Sequence, residues 1–131
     1  MNIGPTGFSN ERRQHPRLAN NIPLKISSED EDVVTQTYNL SRTGVYCRVN
    51  KYLAPMTKLK IHLLLPLKKG GKTVTKKISC QGVVVRTEAV SGKTHYNAAI
   101  YFSDIQRKDA DYIGDYVHEA LEHNKVKSTV L

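Results

Sequence analysis

The sequence predicts a mainly β domain that ends in one α-helix. Three observations carry that reading. Short runs with alternating apolar residues recur between Leu18 and Phe102. Turn signals, Gly70-Gly71 and Ser91-Gly92, separate the later runs. Beyond Phe102 the apolar spacing lengthens to a helical period. About six strands with mostly short connections imply an antiparallel barrel or sandwich. A chain of 131 residues is one domain by default.

Residues 1–10 contain two Gly and a Pro and read as a flexible lead-in. Arginines cluster in Glu11-Arg12-Arg13-Gln14-His15-Pro16-Arg17, where Pro16 discourages helix. Leu18 to Ser27 alternates Ile22, Leu24 and Ile26, and Val33 to Leu40 is β-branched. Gly44 to Asn50 sets Val45, Cys47 and Val49 against Tyr46 and Arg48. Lys58 to Leu65 places Leu59, Ile61, Leu63 and Leu65 on one face. Val74 to Glu88 is long, and Gly82 within it marks a bulge or bend. Thr94 to Phe102 is the last strand.

Ala110, Ile113, Val117, Ala120 and Leu121 then share a helical face, giving a helix from roughly Gln106 to His123. Ser103-Asp104-Ile105-Gln106 fits a capping box before it. That helix packs on the sheet, covers one end, or presents Tyr112 and Tyr116 to a partner. Residues 124–131 read as a frayed tail, which leaves 11–123 as the domain.

The net charge of +8 favours an anionic partner: nucleotide, nucleic acid or acidic membrane. Between Lys51 and Lys93, ten Lys/Arg face a single acid, Glu88, and solubility alone is a competing explanation. Cys47 and Cys80 sit in strand-like runs and read as buried, reduced thiols. No apolar run approaches the ~20 residues of a membrane span, and no signal-peptide core precedes the domain. The expectation is a cytoplasmic protein without membrane insertion.

Two motifs fail on inspection. Gly71-Lys72-Thr73 lacks the earlier glycine of a phosphate-binding loop, because Pro66 stands there, and a strand rather than a helix follows. His118 and His123 lie five apart, about 140° around a helix, and cannot face one metal. No catalytic arrangement stands out, so neither enzyme activity, metal nor resident cofactor is expected.

Two motifs hold. Arginine donates two parallel hydrogen bonds to a phosphate or to a guanine edge, and its plane stacks on a purine. Arg13-x-x-x-Arg17 supplies two such groups, with Arg12 beside them. Asn39-x-Ser41-x-x-Gly44 puts an amide and a hydroxyl near a strand end, with a glycine that permits positive φ or close backbone approach. Each motif alone is weak: a basic arm or an ordinary strand connection explains it.

Together the two motifs resemble the PilZ domain. Gly82-Val83-Val84-Val85-Arg86 is similar to that family's later G-x-V-x-R strand, and Tyr96 to Phe102 to its last strand. The resemblance covers about Arg12 to His123. It implies a six-stranded antiparallel β-barrel with a C-terminal α-helix that binds the bacterial second messenger cyclic di-GMP. It assigns Arg13 and Arg17 to phosphate and guanine, and Asn39 and Ser41 to a guanine edge. Gly44 becomes the closing glycine, and Arg12 favours a stacked ligand pair. Asn39 replaces the commoner Asp, and Ala99 stands where glycine is frequent. The implied protein is a non-catalytic receptor that takes one or two ligand molecules and signals to an effector protein. Homodimerisation is left open. The alternatives are a basic barrel binding single-stranded nucleic acid, or a PilZ-like interaction module without ligand. The sequence assigns no role to the Lys-rich segment 58–77.

Overall fold

A computed structural model describes residues 21–29, 31–90, 92 and 94–130, with side chains as far as Glu122. Six antiparallel strands are followed by one helix: β1 (Pro23–Ser27), β2 (Asp32–Ser41), β3 (Gly44–Val49), β4 (Lys58–Lys69), β5 (Lys72–Ala89), β6 (Tyr96–Asp104) and α1 (Arg107–Val130). Alternation decides which side of each strand is buried. Leu59, Ile61, Leu63 and Leu65 of β4 point inward, as do Leu24 and Ile26 of β1 and Ile78 and Val84 of β5. The helical stripe also faces the core, where Ile113 and Val117 are buried. Tyr116, Ala120 and Leu121 pack at its edge, and α1 rests against β2 and β4.

The expected six-stranded barrel needs correcting. Strand pairing runs in the order β1-β2-β3-β6-β5-β4 and returns to β1, but the strands do not form a regular barrel. β1 meets β4 only along Leu24–Ser27, opposite Lys60–Leu63. β4 pairs with β5 along its whole length, from Lys58 opposite Val83 to Lys69 opposite Lys72. Five residues of β1 cannot line twelve of β4. The outer part of the β4–β5 hairpin, Leu64–Lys69 with Lys72–Lys77, has no third strand beside it among the described residues. It stands out as a two-stranded ribbon.

Two end assignments also change. β6 runs through Ser103 and Asp104, because Asp104 pairs with Gln81. Ser103 therefore does not cap α1; the helix begins at Arg107, and its first turn closes by Ala110 N donating to Gln106 O at 3.0 Å. At its other end α1 continues past His123 to Val130. Cys47 and Cys80 are buried free thiols. Burial pushes each up to about 12. No helix among the described residues is long and apolar enough to cross a membrane.

Candidate functional site

The outer face of β2, β3, β6 and β5 carries a pocket of about 540 Å³, within the roughly 300–1,000 Å³ usual for small-molecule sites. Asn39, Ser41 and Gly44 lie along one side, and Arg86 and Val85 along the other. Tyr46, Ala99 and Tyr101 form its floor and end.

Two β-bulges aim these residues. Strict alternation from the inward residues Val33 and Thr37 would turn Asn39 into the core. The β2–β3 register instead shifts between Thr37, opposite Cys47, and Asn39, opposite Tyr46. Tyr38 is the extra residue; Leu40 then points inward and Asn39 turns out to the pocket. β5 repeats the device. Ile78, Cys80 and Val84 are inward, which would bury Arg86 as well. The register shifts so that Val84 opposes Ile100 but Arg86 opposes Ala99, and Arg86 faces out. On the other edge of β5, the segment after β3 continues the β4 ladder: Met56 N donates to Val84 O at 2.7 Å, and Val84 N to Thr57 O at 3.0 Å.

The β2–β3 turn is held by Ser41. Its Oγ accepts from Thr43 N at 3.2 Å, lies 3.2 Å from Thr43 Oγ1 and donates to Gly44 O at 3.4 Å. Gly44 does not have positive φ. A Cβ there would lie 2.5 Å from the Ile100 carbonyl oxygen, so glycine is required by close approach of β3 to β6. Arg42, between Ser41 and Gly44 in the motif, leaves the sheet altogether. Its Nη1 lies 2.5 Å from Asp111 Oδ1 on α1, and its chain runs beside Gly114.

The far rim is polar and charged. Tyr46 OH donates to Glu88 Oε1 at 3.1 Å, and Arg86 Nε lies 3.6 Å from the same oxygen. Burial, then the bond to Glu88, pushes the Tyr46 phenol above its ordinary range. Asn97 Oδ1 is buried with no hydrogen-bond partner among the described residues. Among those residues no cluster of three His, Cys, Asp or Glu could hold a metal.

Asn39, Ser41 and Gly44 thus share one pocket, while Arg12, Arg13 and Arg17 lie outside the described residues. Sequence reasoning did not place Arg86, Tyr46 or Tyr101 there. An arginine in the inward phase of a core strand is the signal that could have found Arg86, since only a bulge resolves it.

A small β-sheet domain with an outward polar pocket between two bulges defines a ligand-binding module. The family model described as "PilZ domain" matches residues 11–119, and the chain belongs to that family, whose domains are non-catalytic receptor modules. A search of curated proteins gives no match. Among solved structures, the inhibitor of motility MotI/DgrA from Bacillus subtilis superposes with a TM-score of 0.75 at 20% identity. That match covers 86% of this chain and 52% of the other, so the chain spans about half of that protein. The PilZ domain of YcgR from Escherichia coli, solved with c-di-GMP, gives a TM-score of 0.60 at 10% identity, over 92% of this chain and 99% of that one. Both show the same fold.

Proposed function

We propose that this protein is a cyclic di-GMP receptor that passes the state of its pocket to an effector protein. The observation that carries the proposal is the direction in which the chain enters the sheet. Ile22 O accepts from Thr37 N at 3.0 Å, and Ile22 N donates to Thr37 Oγ1 at 3.0 Å. Because β1 and β2 are antiparallel, the chain before Ile22 begins at the Asn39 and Ser41 end of β2. Arg17 precedes Ile22 by five residues, roughly 17 Å of extended chain at most, so the arginines are within reach of the pocket.

In this reading Arg13 and Arg17 contact phosphate and guanine, Asn39 reads a guanine edge, and Ser41 shapes the turn beside it. Arg12 favours a second, stacked ligand molecule. The ligand solved with the YcgR domain and the charge of +8 support the assignment. Titration calorimetry with cyclic di-GMP, using linear pGpG and GTP as controls, tests it. Removing a charge that is buried against its partner typically costs about 2–5 kcal/mol. Arg13→Ala and Arg17→Ala should each lose measurable binding while keeping the wild-type circular dichroism; near-native affinity in both would sink the assignment. Arg12→Ala should lower stoichiometry from two ligands to one.

A further inference from the structure

The outer β4–β5 ribbon has a composition that neither the fold nor the pocket explains. Its strands join through Gly70 and Gly71, both at positive φ (56° and 81°), as a tight turn matched to strand twist requires. Segment 58–77 contains seven lysines and no acid, no arginine and no aromatic residue. Lys68, Lys69 and Lys72 surround the tip. Lys58, Lys60 and Lys77 lie along the same hairpin, and Lys25 of β1 stands opposite His62. Burial, then Lys77 and Lys25, hold the His62 imidazole below its ordinary range, so the lysine fields converge on this face. Asp32, the acid nearest to it, is paired with Lys25 at 3.2 Å.

An aliphatic side chain stands exposed among these lysines: Leu64, opposite Lys77 and in phase with Lys58, Lys60 and Lys68 on the outer face, is 42% exposed. A ribbon kept only for solubility would carry polar residues there. We propose that the outer face of this ribbon docks on an anionic phospholipid membrane, with Lys58, Lys60, Lys68 and Lys77 at the headgroups and Leu64 at the acyl boundary. Mixed basic and aliphatic surface is what such an interface binds. Polynucleotide fits less well, because the ribbon has no aromatic stacking platform and no Arg, Asn or Gln to read a base edge. The pocket residues of β5 begin at Val85, eight positions beyond Lys77, roughly 26 Å along the strand. The membrane contact and the pocket therefore occupy opposite ends of one strand.

Vesicle co-sedimentation of the full chain tests this. Vesicles of phosphatidylcholine with phosphatidylglycerol should retain the protein at low salt and release it at high salt; pure phosphatidylcholine should not retain it. Each lysine near a membrane surface contributes about fivefold in affinity. Combined Lys60→Gln, Lys68→Gln and Lys77→Gln should thus weaken binding about a hundredfold, and Leu64→Ser several-fold. The pair Lys58→Gln and Lys68→Gln repeats the test should that variant misfold. Equal retention by both vesicle types, unchanged affinity in the folded variants, or tighter capture by duplex DNA at the same salt would overturn the proposal.

Discussion

Gly44 lines the pocket, yet packing alone explains why it is glycine. Its position in the N-x-S-x-x-G spacing is visible in the sequence, but the need for glycine there is not. That need comes from Ile100 on β6, whose carbonyl oxygen would lie 2.5 Å from a Cβ, a contact set by strand pairing far along the chain. Gly44→Ala should therefore destabilise the fold by about 1–3 kcal/mol, the usual cost of overpacking, seen as a lower urea midpoint. Asn39 makes the contrast, because it faces a pocket rather than a backbone. Asn39→Ala should leave that midpoint within about 0.5 kcal/mol while lowering ligand affinity in calorimetry.

At the scale of elements, sequence alternation gave the strands and the helix but not where they shift phase. Leu59, Ile61, Leu63 and Leu65 were legible as one buried face. The bulges at Tyr38 and Val85 were not, since each depends on a partner strand's register. They orient Asn39 and Arg86, so half of the pocket was hidden from a reading by period. Hairpin length was underestimated for a related reason: Lys-rich, exposed positions lack the alternation that marks a strand, yet pairing carries β4 to Lys69 and β5 back to Lys72. The Gly70-Gly71 turn was legible, and its positive φ values make it testable. Replacing both glycines with alanine should cost about 1–2 kcal/mol per residue. The loss should appear as faster amide exchange in Leu64–Lys77, with little change in β3 and β6.

For the whole molecule, the buried thiols set an alkaline limit. Cys47 and Cys80 are held near 12, against 9.0 when exposed. The unfolded chain therefore loses these protons first as pH rises. Their contribution to stability is complete below about pH 9 and falls away between 9 and 12. Urea midpoints should be flat from pH 7 to about 8.5 and decline above it. Cys47→Ala with Cys80→Ala should remove most of that decline, and both thiols should resist alkylation until the chain unfolds. Net charge was fully legible, whereas its concentration on one ribbon needed the topology.

Arg42 has a consequence that extends from the motif to the helix. It belongs to the turn that Ser41 closes, yet its guanidinium is held by Asp111 and its stem lies along Gly114. Turn and helix are therefore in contact, and a protein that bound α1 at Asp111 would also bear on the turn beside the pocket. Linkage is reciprocal: if such a partner changes ligand affinity by some factor, the ligand must change partner affinity by that same factor.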